Sequence, residues 1–439
     1  MSSPLVVPFA YPDPRGNNYD EWSEIVERAL GRYRFWDAPT TVEWFQARGY
    51  TLYERFNMDP KDQTAPDPSC TGPRMKRGYE SSGQYPYAYY DDFKLDEDEL
   101  DLVACEQSGS LVFAQDEQGR HVAIKLVPNG SDELRIYELI HAQDVESLKE
   151  HCILPILEIL RSTTHSFVVM PRWGGDPITP PLASLLEVLA FIHCLLKNYI
   201  YIFFQALAFL HKNNIVHRDI STANIVTNHF STHESMWASE PRKQLRREQL
   251  ASYALIDFNY SAIVPDGVEP SKFRLPAEKA FDAAYAVPDT AQGEVDYDPF
   301  AWDVCSLGAL MATQYQYFCY DLPFLAPLFD SMITIDVSRR FTAAQALEFF
   351  ESEVASLHKG RLTKPIWMPD DRTRPCDYDR WKYVPKSLAV KWKSYRSAEI
   401  TPWVRFLRRV CAMGDGKGYI IVMTIRRCIR FILGLIGAR

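Results

Sequence analysis

The sequence lacks the marks of a secreted protein. Its nine cysteines are odd in number and scattered, and none forms a C-x-x-C pair, so reduced, packed thiols are a better interpretation than disulfides or a metal site. The N-terminus has no basic segment, and its first apolar run is short and broken by Pro8. Ser2, where N-myristoylation needs glycine, follows Met1. We therefore expect an intracellular, most simply cytoplasmic, protein.

Positive charge is scarce over most of the chain. The 439 residues carry a formal net charge of -9, which argues against a general nucleic-acid-binding protein. Residues 391–439 are the exception, with eleven Lys or Arg against two acidic residues. With 46% hydrophobic and 24% charged residues, the composition is that of an ordinary protein with a substantial core.

Long uninterrupted apolar runs are also absent. Residues 182–212 carry Lys197 and Asn198 partway along, and they predict two buried helices. In the tail, residues 419–437 are apolar but contain three central arginines, each costly at the centre of a bilayer. This segment fits a helix on a membrane surface, a helix packed on the protein's own body, or a disordered end. Peripheral membrane contact therefore remains one of three alternatives.

The N-terminal part divides by composition. In residues 20–53 apolar and aromatic side chains recur at helical spacing, which predicts two amphipathic helices whose aromatic rings serve packing. We assign residues 1–57 to a helical extension. Residues 58–99 are rich in Pro, Gly and finally acidic residues, and we assign them to a linker.

Residues 102–127 change to short β-branched runs around a polar turn at 116–120. They predict a two-stranded hairpin that leads to a third strand. Lys125 sits inside an apolar strand, where a cation needs a phosphate or a carboxylate beside it. The helix that starts at the N-cap residue Ser131 supplies two candidates. The following apolar pattern favours Glu133 over Glu138, without excluding Glu138.

Two further strands, at residues 152–161 and 165–170, complete a small predicted sheet. The segment M-P-R-W-G-G-D follows, rich in Pro and Gly, as is typical of a hinge that contacts adenine. Its candidate binding residues are Met170, Pro171 and Arg172.

A carboxylate and an amide stand five residues apart in I-V-H-R-D-I-S-T-A-N, at Asp219 and Asn224. Phosphoryl transfer needs a carboxylate that orients and deprotonates a hydroxyl, and a neutral oxygen ligand that helps to hold Mg²⁺ on ATP. The spacing therefore predicts a catalytic loop.

Six motifs occur in a fixed order along the chain. They are V-A-I-K (122–125), H-R-D-x-x-x-x-N (217–224), D-F-N (257–259), Y-A-V-P-D (285–289), W-D-V-C-S-L-G (302–308) and R-R-F-T-A-A-Q-A-L (339–347). In this order they resemble the eukaryotic protein kinase superfamily. H-R-D-I-S-x-x-N-I and V-V-M-P-R-W are similar, more narrowly, to divergent fungal-type protein kinases.

The resemblance implies an α+β fold with two lobes, a small antiparallel sheet with a helix and then a mainly helical lobe. The kinase-like domain would span residues 100–357, with the N-lobe at about 100–171 and the C-lobe at about 172–357. Residues 358–439 would form a basic C-terminal tail. The implied partners are ATP and a protein substrate, with Ser or Thr favoured over Tyr as the acceptor, while the oligomeric state stays open.

Carried over by motif, the resemblance also implies roles for single residues. Asp219 would be the catalytic base, Lys125 would hold the α and β phosphates with Glu133 beside it, and Asn224 and Asp257 would hold Mg²⁺. Two more expectations concern structure. Asp303 would tie down the catalytic-loop backbone, and Asp289 would pair with Arg340.

Several positions depart from the family pattern. A glycine-rich loop normally lets backbone N–H groups reach the phosphates, but only Gly109 remains here, after Ala104 and Glu106. Asn259 replaces the glycine of D-F-G and is expected to supply a left-handed turn. Ser221 stands where serine/threonine kinases usually have lysine. A catalytically inactive pseudokinase scaffold and, less favoured, a small-molecule phosphotransferase are therefore kept as alternatives.

A basic insertion, residues 229–249, separates the two metal-ligand candidates. It predicts a flexible surface loop, or more specifically a docking site for an acidic partner. After the D-F-N motif, Ser271 is the only hydroxyl residue between Ile263 and Ala284. We therefore expect a segment that is ordered without phosphorylation.

Overall fold

The structure is a computed structural model. It describes residues 5–9, 22–55, 69–71, 85–91, 103–105, 108–193, 203–231, 240–280, 287–357, 362–363, 365–366, 378–397, 400–414 and 416–435. Most of the predicted linker lies outside these residues, as do Glu106, Lys197, Asn198 and Tyr285.

The chain forms two compact units. The first consists of Met1–Leu182 and Ile225–Ile256, and the second of Ala183–Asn224 and Asp257–Arg439. The largest sheet belongs to the first unit and most helices belong to the second. This is the α+β, two-lobed class that the sequence predicts.

The strands are mostly short. Numbered along the chain, they are β1 (Thr51–Leu52), β2 (Glu54–Arg55), β3 (Ser69–Thr71), β4 (Tyr89–Asp91), β5 (Val103–Cys105), β6 (Leu111–Gln115), β7 (His121–Pro128), β8 (Glu158–Arg161), β9 (His165–Pro171), β10 (Ile215–Val216), β11 (Ile225–Thr227), β12 (His229–Ser231), β13 (Tyr253–Leu255), β14 (Ala262–Ile263), β15 (Leu275–Pro276) and β16 (Asp296–Tyr297). Within the described chain the longest is β7, which carries Lys125.

The α-helices are numbered in the same way. They are α1 (Trp22–Trp36), α2 (Pro39–Gln46), α3 (Asp132–His141), α4 (Val145–Glu150), α5 (Leu185–His193), α6 (Phe203–Lys212), α7 (Glu240–Arg247), α8 (Pro299–Tyr315), α9 (Leu325–Ile333), α10 (Ala343–Val354), α11 (Lys386–Lys391), α12 (Pro402–Cys411) and α13 (Lys417–Leu435). The two helices predicted within residues 182–212 are α5 and α6.

Lys125 lies in the centre of a five-stranded antiparallel sheet of order β1-β6-β7-β9-β8. The β6–β7 hairpin turns at the predicted polar segment, where Asp116 Oδ1 accepts hydrogen bonds from the backbone N–H groups of Gln118 (3.0 Å) and Arg120 (2.9 Å). All but the last residue of β7 are buried, because its β-branched and leucine side chains suit a covered strand. The sheet thus holds Lys125 in apolar surroundings.

The strand beside β6 comes from the N-terminal extension. Within residues 102–127, β6 and β7 form the predicted hairpin, whereas β5 pairs with β3 in a separate sheet of order β2-β3-β5. The place beside β6 is taken by β1, in which Leu52 lies opposite Ala114. Both side chains belong to one buried cluster, so the pairing keeps an apolar face covered.

The helices α1 and α2 pack on this sheet through aromatic side chains. Ring centroids of Trp36, Trp44 and Phe45 lie 5.7, 5.4 and 5.1 Å from that of Phe167 in β9. Aromatic contacts at this range contribute about 0.5–1.5 kcal/mol beyond the area that they bury. The N-terminal helices are therefore part of the core of the first unit.

The helix α3 begins at its predicted cap. Ser131 Oγ accepts a hydrogen bond from the backbone N–H of Leu134 (3.1 Å), a bond worth about 1 kcal/mol. The buried face of α3 includes Ile136 and Ile140 and packs against β7. The cap places Glu133 in the first turn, on that same buried face.

The second unit is organised around α8, most of which is buried. Asp298 starts this helix by accepting hydrogen bonds from the backbone N–H groups of Phe300 (2.9 Å) and Ala301 (3.1 Å). Glycine allows α9 to approach closely, because a Cβ on Gly308 would lie 2.6 Å from Met332 Cβ. The W-D-V-C-S-L-G motif is thus the buried centre of this unit.

The C-terminal helices α12 and α13 also meet at a glycine. A Cβ on Gly418 would lie 1.9 Å from the backbone oxygen of Val410, so a larger residue would force the two helices apart. Among the helices that the structure describes, none is both long and apolar enough to cross a bilayer.

Candidate active site

Lys125 forms an ion pair inside the first unit. Its Nζ lies 2.6 Å from Glu133 Oε1, and the two residues are 6% and 7% exposed. A buried ammonium requires an opposite charge at close range. Glu138 instead pairs with Arg161 near the surface. Of the two candidate carboxylates, Glu133 is therefore the one beside Lys125.

The loop before β6 is covered by α1. The Trp36 indole Nε1 donates to Gly109 O (2.9 Å), and Arg32 Nη1 donates to Ser108 O (2.7 Å). A Cβ on Gly109 would lie 2.7 Å from Arg32 Cβ, and the φ of Gly109 is +67°. Close packing and backbone conformation both explain the glycine. Its contact with ATP stays a prediction.

We expect Gly109→Ala to lower the free energy of unfolding by about 2–4 kcal/mol, because a left-handed φ and overpacking both oppose the new methyl group. The matched control is Gly130→Ala, whose φ is +76° with no atom within 4 Å of the added Cβ. It should show the backbone cost alone. Urea unfolding compares them, and equal losses would contradict the packing role of α1.

The three predicted hinge residues continue the central strands. Met170 and Pro171 end β9, opposite Ala123 and Val122 of β7. The Arg172 N–H then donates to His121 O (3.0 Å). Backbone pairing therefore fixes the start of this segment.

The Arg172 side chain is enclosed by aromatic rings. Its guanidinium carbon lies 4.5 Å from the Phe113 centroid and 4.4 Å from that of Phe230, and Nη1 donates to Tyr53 OH (3.1 Å). Burial, and then the charge of Arg172, lower the pKa of His121 to about 3. The neutral His121 ring hydrogen-bonds Tyr53 OH through Nδ1. The Arg172 side chain is thus held by cation–π contacts inside the first unit.

The basic insertion is not a flexible surface loop at residues 240–247. It forms α7, in which Arg242 and Arg246 are 1% and 4% exposed. Their guanidinium groups donate at 2.6–3.2 Å to backbone carbonyls of residues 175–179. These two arginines hold the chain that follows the hinge segment and are not accessible to an acidic partner. Lys243 and Arg247 of the same helix pair with Glu240, and docking of an acidic partner on the insertion stays a prediction. Residues 232–239 of the insertion lie outside the described chain.

Asp219 and Asn224 are joined within the second unit. Asn224 Nδ2 donates to Asp219 Oδ2 and to Asp219 O, both at 2.8 Å. A short 3-10 helix, Thr222–Asn224, closes the five-residue spacing. The Asn224 oxygen Oδ1 takes no part in these two bonds, so the amide can orient the carboxylate and still offer an oxygen to a metal.

Asp303 fixes the backbone just before Asp219, as its motif implies. Its buried carboxylate accepts hydrogen bonds from the N–H groups of His217 and Arg218, both at 2.7 Å, and His211 Nε2 lies 3.1 Å from it. The φ of Arg218 is +70°, a region that non-glycine residues adopt only when held there. Asp303 supplies that hold.

The Arg218 guanidinium has neutral partners. It donates to Tyr260 O (2.6 Å), Lys279 O (2.7 Å) and Tyr297 OH (3.1 Å). These bonds satisfy the arginine with no phosphate group. The arrangement is consistent with a segment whose order does not depend on phosphorylation of Ser271.

The D-F-N segment turns at its first residue. The φ of Asp257 is +67°, whereas Asn259 is not among the described residues with positive φ. The prediction of a left-handed turn at Asn259 is therefore wrong. Asp257 Oδ1 accepts a hydrogen bond from the Asn259 N–H (3.3 Å), and this local bond stabilises the left-handed conformation of the aspartate.

Asp289 and Arg340 form a bidentate pair. Arg340 Nη1 lies 2.6 Å from Asp289 Oδ2, and Nη2 lies 2.7 Å from Oδ1. Both side chains are buried, and Arg340 also donates to Ala301 O (2.9 Å) and Thr334 O (3.1 Å). Two parallel bonds to a carboxylate join segments far apart in sequence.

The oxygen donors Asn224 Oδ1 and the Asp257 carboxylate suit Mg²⁺. In the part of the chain that is described, no three His, Cys, Asp or Glu side chains converge on a metal site. Mg²⁺ is commonly bound by one or two protein oxygens together with phosphates and water. The donor set therefore fits a cation that arrives with a nucleotide.

These elements coincide with a known family over half of the chain. Residues 107–327 match the family described as Protein kinase domain. The chain belongs to the protein kinase family. Membership implies ATP as the phosphoryl donor and a protein as the acceptor of this kinase.

Comparison with solved structures gives a weaker likeness. The autoinhibited serine kinase domain of the giant muscle protein titin is 18% identical to the kinase, with a TM-score of 0.39, and the match covers 57% of this chain and 79% of that chain. Comparison with curated protein sequences finds no match.

Sequence reasoning missed several residues that shape the kinase domain. Trp36 and Arg32, which hold the loop before β6, have the ordinary signal of an amphipathic helix. His211, which contacts Asp303, lies six residues before His217 at the end of an apolar helix. Its position close to the catalytic loop is the sequence feature that could have indicated this contact. The hinge pattern predicts that Arg172 contacts the nucleotide. Its side chain packs among aromatic rings, and a contact through its backbone stays a prediction.

Proposed function

We propose that the chain is an ATP- and Mg²⁺-dependent protein kinase that transfers the γ-phosphoryl group to a Ser or Thr hydroxyl. The observation that carries the proposal is the Asp219–Asn224 pair, held at 2.8 Å on a backbone that Asp303 fixes. A carboxylate so oriented can accept the proton of a substrate hydroxyl as the bond to phosphorus forms.

The other roles follow from the donor types. Lys125, which pairs with Glu133, would hold the α and β phosphates. Asn224 and Asp257 would hold Mg²⁺, which neutralises charge on the β and γ phosphates when bound. In the predicted hinge, Arg172 is packed away, so Met170 and Pro171 would meet adenine through apolar contact and backbone atoms.

The identity of the acceptor hydroxyl depends on contacts near the γ phosphate. Ser221 stands where serine/threonine kinases usually have a lysine, so one cation near the γ phosphate is missing. We also propose a divergent, fungal-type kinase, on the segments H-R-D-I-S-x-x-N-I and V-V-M-P-R-W. The H-R-D-x-x-x-x-N and D-F-N segments are common to all protein kinases, so we propose Ser or Thr as the acceptor and test it against Tyr.

The deciding experiment is transfer of ³²P from ATP to peptide libraries that contain only Ser, only Thr or only Tyr. We expect transfer to Ser or Thr peptides with Mg²⁺, its loss with EDTA, and a strong decrease for Asp257→Asn. Incorporation that stays at background for both the wild type and Asp257→Asn would leave a pseudokinase. Transfer to Tyr alone would overturn the acceptor assignment.

A pseudokinase scaffold is the second candidate, and one observation favours it. The sole glycine of the phosphate-loop segment is buried under α1, so fewer backbone N–H groups would reach the triphosphate. A thermal-shift titration with Mg²⁺ and ATP separates nucleotide binding from turnover, because a ligand of the folded state raises the melting temperature.

We also propose an intracellular, cytoplasmic location without nucleic-acid binding. Cys152, Cys305, Cys319, Cys411 and Cys428 are free thiols, which suits a reducing compartment. The net charge of -9 disfavours a polyanionic partner for the body of the chain. Fractionation of cells that express the full chain tests the location.

A further inference from the structure

The helix α13 faces the body of the second unit with its charged side. Arg426, Arg427 and Arg430 pair with Glu294, Glu278 and Asp296. Beside these pairs, Tyr419 and Met423 pack on Ala277 and Cys411 in a small buried cluster. The arginines that interrupt the apolar tail sequence are thus engaged with acidic residues of the same unit.

The opposite side of α13 is apolar and exposed. Four isoleucines share it, at 50–58% exposure, and we call them the isoleucine stripe: Ile421, Ile425, Ile429 and Ile432. At 1.5 Å per residue the stripe is about 16 Å long. A surface helix normally turns its charges outward and its apolar side inward. Here the isoleucine side lies away from the paired arginines, which are themselves 39–60% exposed. The stripe is therefore an uncovered apolar patch, and such a patch marks a contact surface.

The neighbouring helix α12 adds exposed aromatic residues to this tail. Trp403 and Phe406 are 64% and 54% exposed, and their rings stack at 5.6 Å. Arg405 and Arg409 are exposed on the same helix. Tryptophan, phenylalanine and arginine side by side are typical of helices that lie in the headgroup region of a bilayer.

The charge distribution indicates what binds the exposed apolar surface of α12 and α13. The chain as a whole carries -9, yet residues 391–439 hold eleven basic residues against two acidic ones. Three of the eleven are the paired arginines of α13, whereas Arg405 and Arg409 of α12 are exposed. An anionic lipid surface would therefore repel the body and attract the tail, so that the tail meets the surface first. Bulky apolar groups on the same helices would then enter the boundary between headgroups and acyl chains.

We propose that α12 and α13 bind a bilayer that contains anionic lipid, with the isoleucine stripe, Trp403 and Phe406 inserted. The paired arginines stay on the protein side of α13. No described helix can span a bilayer, so the attachment is peripheral. The proposal goes beyond the kinase activity and does not depend on it.

Sedimentation of the full chain with vesicles tests the surface. We expect binding to phosphatidylcholine vesicles that contain phosphatidylserine and weak binding to phosphatidylcholine alone. The double variant Ile425→Gln/Ile432→Gln should bind at least about tenfold more weakly, since two inserted apolar side chains are lost. Arg405→Gln and Arg409→Gln should each weaken binding about fivefold at low salt.

The matched control is Val390→Gln, which replaces an apolar residue that is 76% exposed on α11, a helix that is not part of the proposed surface. It should bind like the wild type. Equal vesicle binding by the control and the isoleucine variant would show that the isoleucine side chains do not insert. If the wild type bound neither kind of vesicle, the proposal of a membrane-binding surface would be rejected. Sedimentation velocity without lipid supplies the last arm. A wild-type dimer that the isoleucine variant dissociates would assign the stripe to a second copy and reject the proposal.

Discussion

Replacing Asp219 with asparagine is expected to lower kcat for phosphoryl transfer by about 10²–10⁴-fold, the usual contribution of a positioned general base. Asparagine has nearly the same shape but cannot accept the proton of the substrate hydroxyl. Asn224 would keep its bond to the backbone oxygen of residue 219 (2.8 Å), so the metal ligand should stay in place. The loss should therefore fall on the chemical step.

Two measurements isolate that step. The Mg²⁺·ATP thermal shift of Asp219→Asn should match that of the wild type, while ³²P transfer falls. Asp266→Asn makes the same chemical change at an exposed position of the same unit and should keep full activity. Transfer by Asp219→Asn within a few fold of the wild type would remove Asp219 as the base.

Arg340→Met is expected to lower the free energy of unfolding by about 3–5 kcal/mol, because it leaves the buried Asp289 carboxylate without its charge partner. Asp289→Asn should cost less. Arg340 would still donate to Ala301 O and Thr334 O, so its guanidinium keeps neutral acceptors. The double variant Arg340→Met/Asp289→Asn should recover part of the loss, since no unpaired carboxylate remains.

Urea unfolding of the four proteins gives the coupling between the two residues. Lys272→Met is the matched control, because it removes the cation of an exposed pair with Glu269 in the same unit and should leave the midpoint unchanged. If Arg340→Met unfolded at the same urea concentration as this control, the buried pair would have no structural role.

Most features of the site can be predicted from short-range sequence patterns. Ser131 caps α3 through a bond three residues along, and the Asp219–Asn224 bond spans five residues. Contacts of this kind depend on the identity and spacing of neighbours, which a sequence displays directly. The same holds for Lys125, because an isolated cation in an apolar strand has few stable solutions.

Local sequence patterns do not predict which arginines are buried. A basic helix such as α7 has the composition of a solvated segment. Apart from His229 O, the carbonyls that accept hydrogen bonds from Arg242 and Arg246 lie more than sixty residues earlier in the chain. The sequence places Arg172 in the hinge segment. The aromatic rings that pack on its guanidinium come from three other strands or loops. Burial of a guanidinium depends on tertiary contacts alone.

The turn at D-F-N shows a different limit. Both Asp257 and Asn259 tolerate a left-handed backbone, so residue type does not choose between them. The choice depends on which side chain finds a local hydrogen bond, and Asp257 Oδ1 accepts one from the N–H two residues on. Sequence reasoning found the turn but placed it two residues late.

The short strand β1 changes what counts as the smallest fragment that can be purified. The family match begins at residue 107, yet Leu52 forms the outer edge beside β6 and Trp36 covers the loop that leads to it. A fragment cut at the family boundary would expose an unpaired β6 backbone and the apolar ring cluster around Phe167, which invites edge-to-edge aggregation. A fragment chosen for expression of this kinase should therefore start before the first residue of α1.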